Sequence, residues 1–160
     1  MSPVSEPTRP PGWLPEDEFH AIYRRVPRLC VEVVIATPGR GVLLMERDIP
    51  PNVGAWHIPG GTVLFGERLV DALKRVARDE LALEITVGEL IGYIEYPSHY
   101  ENGLDSPVGI AFSCEIADGE PADRSPPPGG GWFTRLPDGL YAEQREFLSR
   151  TLALPAGAVE

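Results

Sequence analysis

Apolar and polar positions along the chain fall into blocks, and the blocks predict its elements. Residues 29–36, LCVEVVIA, are apolar except for Glu32 and read as a strand. A Pro-Gly-Arg-Gly turn joins them to a second strand over 42–47, VLLMER. Residues 85–96 and 108–116 read as further strands, and a short one covers Trp132-Phe-Thr134. The segment from Pro97 to Pro107 reads as an exposed loop, and 120–131 is rich in proline and glycine. Residues 14–25, LPEDEFHAIYRR, open with a proline and three acids and end in two arginines, which suits a helix dipole. Phe19, Ile22 and Tyr23 give that helix an apolar stripe, and Pro27 stops it. Two more helices are predicted, over about 67–82 and over 140–153. No internal repeat is present. Mixed strands with helices on either side make an α/β layered domain, expected over 14–155 behind a disordered leader, 1–13.

The helix over 67–82 carries an anomaly. At about 100° per residue, with Leu69 at zero, Leu73 falls near 40°, Val76 near 340° and Glu80 near 20°. Glu80 is thus expected inside the apolar stripe, where an unpaired carboxylate is costly, so either an arginine or a metal ion must compensate it. Asp79, near 280°, lies at the edge of the stripe and is placed to share a cation. Arg75 is spaced to pair with Asp71 or Asp79. The helix follows Pro59-Gly60-Gly61, whose glycines let the backbone approach a ligand closely, and its first turn offers free N–H groups to an anion.

Charge and composition narrow the partners. The 160 residues suit one core, 42% of them are hydrophobic, and no apolar run is long enough for a membrane span. The N-terminal residues lack the pattern of a secretory signal. A net charge of −10 argues against a nucleic-acid polymer, yet a divalent cation and a few arginines suffice to hold a small diphosphate. Cys30 and Cys114 fit neither a zinc site nor a disulfide scaffold; buried, reduced thiols of a cytoplasmic protein are expected.

The segment Pro59–Leu83, PGGTVLFGERLVDALKRVARDELAL, resembles the box of the Nudix hydrolases, G-x5-E-x7-R-E-U-x-E-E-x-G-U, where U is a bulky aliphatic residue. Gly61, Glu67, Arg75, Glu80 and Leu83 match in register, and Gly54–Gly61 looks like the usual approach to the box. Three positions depart from it: Val76 stands for the first glutamate of the run, Asp79 for the second, and Ala82 for the glycine that ends the helix. The resemblance implies a Nudix-type α/β/α sandwich with a central mixed β-sheet. It also implies Mg²⁺ (or Mn²⁺) as cofactor, with Glu67 and Arg75 ordering the loop.

The N-terminal helix, Pro27 and the gap-free spacing from Pro27 to Glu80 resemble the GDP-mannose mannosyl hydrolase branch, whose members attack the sugar carbon. In that branch one metal is held at positions that map onto the Gly61 carbonyl and Glu80, with Asp79 beside them here. A catalytic carboxylate maps onto Glu32, and an arginine that stabilises the leaving diphosphate maps onto Arg47. The branch's second diphosphate arginine maps onto Thr62. Its base-bearing loop corresponds to Ser125-Pro-Pro-Pro-Gly-Gly-Gly-Trp132, which holds no base. The branch also uses its N-terminal helix in a dimer, so a homodimer is expected.

A hydrolase needs a group to activate water. His99, Glu101 and Asp105 lie in the 97–107 loop, and His99 has a suitable reference pKa, near 6.5. The competing picture is a solvated loop histidine. His57 points to the other side of its strand from Trp56 and stacks on a ligand or does nothing. Glu32 is either a site carboxylate or a solvent-facing glutamate on an edge strand. Tyr93, Tyr96 and Trp132 are expected to fill the core. The catalytic set expected is Glu80, Glu32, Arg47 and His99. Gly60, Gly61, Thr62 and Arg47 are expected to contact substrate, and Gly61, Asp79 and Glu80 the metal. The expected activity is Mg²⁺-dependent hydrolysis of a nucleoside diphosphate derivative, a nucleotide sugar. The rivals are a degenerate module that binds a nucleotide or protein without turnover, and a hydrolase attacking phosphorus.

Overall fold

A computed structural model describes residues 9–49, 52–118, 126 and 128–153. The expected leader, 1–13, lies outside the described residues as far as position 8, and so do Ser125 and Pro127 of the base-free loop before Trp132. Helix α1 spans Glu16–Tyr23, strand β1 Arg28–Thr37 and β2 Gly41–Glu46. Two short strands follow, β3 at Trp56–His57 and β4 at Gly60–Thr62. Helix α2 covers Leu69–Val76, then β5 Ile85–Glu95, α3 Pro97–Glu101, β6 Pro107–Ile116, β7 Gly130–Phe133 and α4 Ala142–Leu152.

The strands form one mixed sheet in the order β3-β2-β1-β6-β5, with β4 beside β1 and β7 beside β2. β1 and β6 run parallel, and the other pairs are antiparallel. β1 is the central strand. Along one edge it meets β4 through Cys30, Val31 and Glu32, and β2 through Ala36 and Thr37. Side chains alternate across a strand, so its residues divide between two cores. Val31, Val33 and Ile35 pack with Leu73, Val76 and Leu81 of the box helix. Val34 packs on the other face with Phe147 and Leu148 of α4. The helices therefore sandwich the sheet, as the apolar pattern implies.

Two elements differ from the sequence expectation. The 97–107 segment is not wholly loop: Pro97 at the first helical position starts α3, since a proline there loses no hydrogen bond the helix needs. The box helix does not keep a uniform pitch, because Ala77–Leu81 form a π-turn. The wider turn retards the phase, so Leu81, five residues after Val76, takes the buried place that uniform spacing gives to Glu80.

Candidate active site

The loop between β4 and α2 is closed by one ion pair. Arg75 Nε donates to Glu67 Oε2 at 2.8 Å, and its Nη2 donates to Glu67 Oε1 at 2.9 Å and to the Thr62 carbonyl at 2.8 Å. Glu67 Oε1 also accepts the Leu64 N–H at 3.1 Å. The Arg75 hydrogen bond holds the Glu67 carboxyl below the usual range, and the same contact raises Arg75. Asp71 or Asp79 was the expected partner of Arg75. The guanidinium does pair with Asp79, Nη1 to Oδ2 at 4.0 Å, but its shorter ion pair runs back past the start of the helix to Glu67.

The π-turn swings Glu80 out of the apolar stripe to the mouth of a cleft that Gly60, Gly61, Thr62, Val76 and Asp79 also line. Glu80 is exposed at that mouth, so a ligand can reach it. Protein packed around the carboxyl still displaces much of its water, and this desolvation pushes its pKa up to about 7. A Gly60 N–H bond and the charge of Arg47 oppose the rise, whereas neighbouring Asp79 adds to it. Val76 is 3% exposed, and a Cβ on Gly61 would lie 3.0 Å from its Cγ2. The floor beneath Gly61 is therefore a hydrocarbon.

Glu32 is not on an edge and does not face solvent. It lies on the central strand at 5% exposure, opposite Gly60 on β4 and Ala111 on β6. Its Oε1 accepts the Tyr96 hydroxyl at 2.6 Å, and Gln144 Nε2 donates to that hydroxyl oxygen at 2.9 Å. Gln144 Oε1 in turn accepts the Ile58 N–H at 2.7 Å. Room for the carboxyl comes from two missing side chains. A Cβ at Gly60 would lie 2.7 Å from Glu32 Oε2, and one at Gly109 would overlap Oε1. Burial raises Glu32 to about 8, the Tyr96 bond lowers it, and the charge of Glu80 raises it further, so the two carboxyls sense one another.

His99 does not line the cleft of Glu80, nor do Glu32 and Arg47, among the described residues. Its Nδ1 lies 3.6 Å from Asp105 Oδ1, and its ring meets Tyr96 at 5.2 Å and Tyr141 at 5.8 Å. Asp105 is held down at about 2, first by its hydrogen bond with His99 and then by Arg28. Arg28 Nε donates to Asp105 Oδ2 at 2.6 Å, and its Nη1 donates to Thr62 Oγ1 at 2.9 Å. The hydroxyl oxygen of Thr62, expected to touch substrate, thus accepts from Arg28. Half-buried Arg47 follows β2, and its charge acts on both Glu80 and His57. His57 is lowered chiefly by burial and faces the Ile58 carbonyl at 2.9 Å.

The family model described as the NUDIX domain matches residues 26–149. The chain belongs to the Nudix family. This Nudix domain is 40% identical over 110 residues to the low-salt glycan biosynthesis protein Agl8 of Haloferax volcanii, covering 68% of the chain and 70% of that protein. It is 29% identical over 94 residues to an ADP-ribose pyrophosphatase of Methanocaldococcus jannaschii, covering 59% of the chain and 54% of the relative. Among solved structures it resembles a MutT NUDIX hydrolase from Burkholderia pseudomallei, with TM-score 0.65 and 28% identity, covering 78% of the chain and 97% of that structure.

Nudix proteins typically use a divalent metal, and the donor set of this Nudix domain fits one. Glu80 and Asp79 are adjacent carboxylates at an open cleft, and Glu80 is raised first by desolvation and then by the charge of Asp79. Two carboxylates, a glycine carbonyl and several waters suit Mg²⁺, which gives up its water reluctantly. Sequence reasoning missed Tyr96 and Gln144 as partners of Glu32. The available signal was Gly109 inside an apolar strand, since an interior strand glycine often marks close approach of another group.

Proposed function

We propose that this Nudix domain is a Mg²⁺- or Mn²⁺-dependent hydrolase of a nucleoside diphosphate joined to a second group, a nucleotide sugar, in the manner of the GDP-mannose mannosyl hydrolase branch. One observation carries the reading: the raised Glu80 carboxyl stands at an open cleft beside Asp79 and the box glycines, within reach of the charge of Arg47. Glu80, Asp79 and the Gly61 carbonyl would hold the cation, which would supply Lewis-acid stabilisation of the leaving diphosphate. Arg47 adds positive charge to the same group. Glu67 and Arg75 keep the glycine loop in place through their paired hydrogen bonds.

His99 lies outside the cleft of Glu80 and is read as the base for a sugar that projects out of that cleft. Asp105 engages Nδ1, which leaves Nε2 free to take a proton from water. The water oxygen bonds to the sugar carbon, the carbon–oxygen bond to the diphosphate breaks, and the electron pair leaves with the diphosphate. Arg28 ties this pair to Thr62, next to Gly61 on β4. Protonated Glu32, held by Tyr96, limits the negative charge that accumulates around Glu80. The glycan-biosynthesis description of the Haloferax relative supports a nucleotide sugar as substrate.

The second reading, binding without hydrolysis, draws support from Val76, which places hydrocarbon where the box has its first carboxylate. The deciding experiment offers a panel of nucleotide sugars with Mg²⁺ to wild type and to Glu80→Gln. Wild type is expected to release free sugar and nucleoside diphosphate, and the variant to stay folded and inactive. Tight binding by wild type without product over hours overturns the hydrolase reading. Solvent ¹⁸O is expected in the sugar; label in phosphate refutes attack at carbon.

A further inference from the structure

The cleft that ends at Glu80 extends well beyond the carboxylates. It encloses about 610 Å³, within the range of small-ligand sites, and its far wall is α1 with the residues just before it. That helix buries none of its residues in a core. Its apolar stripe of Phe19, Ile22 and Tyr23 faces the cleft instead, alongside Trp13. From the opposite wall Phe65, in the loop between β4 and α2, stands 93% exposed. Phe19 and Tyr23 meet edge to face at 4.7 Å, which leaves ring surface for a third aromatic group. Arg75 also lines the cleft, but its Nε and Nη2 bond Glu67 and the Thr62 carbonyl and its Nη1 faces Asp79 at 4.0 Å.

We propose that this aromatic-walled cleft between α1 and the box holds the nucleobase of the substrate, with the diphosphate at Glu80. The inference rests on the proposed function for the position of the diphosphate and adds the position of the base. Continuity is the first argument: one cleft reaches from Asp79 and Glu80 to Trp13 and Phe19, so a ligand anchored at the carboxylates has its next group there. Chemistry is the second. Exposed aromatic faces with few free donors suit a planar ring held by stacking, and stacking tolerates every base because each has a π-face. The hydrocarbon floor at Val76 completes an apolar slot. The site is therefore expected to be undemanding about base identity.

Calorimetry on the full chain with Mg²⁺ tests this, using ADP, GDP and inorganic pyrophosphate as separate probes. Phe65→Ala and Phe19→Ala change half-buried or exposed rings, and unchanged melting temperatures check that both variants fold. Each is expected to weaken ADP and GDP alike by about tenfold or more while pyrophosphate binding stays as in wild type. If pyrophosphate and the nucleotides all fail to bind wild type, the proposed function itself is wrong. If all three bind wild type and neither variant discriminates between them, the diphosphate site stands and the base site is refuted. A change of solution mass in the variants, with nucleotide affinity intact, assigns the cleft to a second copy of the chain and likewise refutes it.

Discussion

Tyr96 donates its hydroxyl to Glu32 across 2.6 Å, and this bond ties α4, through Gln144, to the central strand beside the box glycines. The carboxyl fits only because Gly60 and Gly109 present no side chain to it. A buried acid at this point is an expensive feature, and the Tyr96 hydroxyl that donates to it reduces that cost.

Tyr96→Phe removes that donor. The Tyr96 bond lowers Glu32, so its loss moves the Glu32 pKa further upward from about 8. The variant is expected to lose about 1–3 kcal/mol in urea denaturation. The alkaline side of its pH–rate profile should also shift to higher pH. An unchanged profile together with unchanged stability shows that the hydroxyl does not act on Glu32.

Stability without metal should fall as pH rises from about 5 to 8. Glu32 and Glu80 have folded pKa values near 8 and near 7, above the ordinary 4.5, so in that window the folded state binds more protons than the unfolded chain. By linkage, stability then decreases with pH, by an amount on the order of a few kcal/mol for fully buried Glu32 and less for exposed Glu80. Asp105, lowered to about 2, acts only in acid and leaves this window alone. Melting temperatures of metal-free protein across that range provide the check. Glu32→Gln is expected to flatten the slope, and a slope identical to wild type rules Glu32 out as its source.

The layered fold and most of the box were legible in the sequence because they follow local rules. The apolar run 29–36, the turn at 38–41 and the box spacing each reflect a periodicity or an offset. Three features of the site were not legible. The π-turn depends on which of Glu80 and Leu81 the packed core accepts, and the only clue lay in Leu81 five residues after Val76. The box resemblance marks Glu67 and Arg75 as ordering the loop, but does not say that they bond each other across eight residues, a separation no helical spacing rule contains. The bond between Glu32 and Tyr96 spans 64 residues, and it makes a hydrogen-bond donor of a tyrosine otherwise assigned to the core.

Arg75→Lys tests the geometry of the loop closure. Both Nε and Nη2 of Arg75 bond Glu67, and an ammonium cannot reproduce that fork. A loss of about 1–3 kcal/mol is expected in chemical denaturation, because Glu67 and the Thr62 carbonyl lose charged donors. Binding of Mg²⁺ should weaken in parallel as Gly60 and Gly61 loosen. A lysine variant with wild-type stability and metal affinity shows that charge alone suffices there.

Ala82 closes the π-turn at φ 51°, in the left-handed region, where its Cβ is unfavourable. Ala82→Gly relieves that strain and is expected to stabilise the protein by up to about 1 kcal/mol. Thermal melting without ligand reads the gain directly. A fall in melting temperature refutes the strained conformation.

Val76→Glu tests whether the buried floor of the cleft is a vacant metal position. The valine is 3% exposed beneath Gly61, so a carboxylate placed there has no neutralising partner unless a cation arrives. Without metal the variant is expected to melt several degrees below wild type, in line with a cost of about 1–3 kcal/mol. With Mg²⁺ it should regain more than wild type does, because a further ligand tightens the cation and binding to the folded state alone stabilises it. The informative quantity is the difference between the two metal-induced shifts. A larger shift in the variant means Val76 faces the cation held by Glu80. An equal shift in a folded variant means that Val76 faces only the apolar slot and that the cation, where it binds, is out of reach.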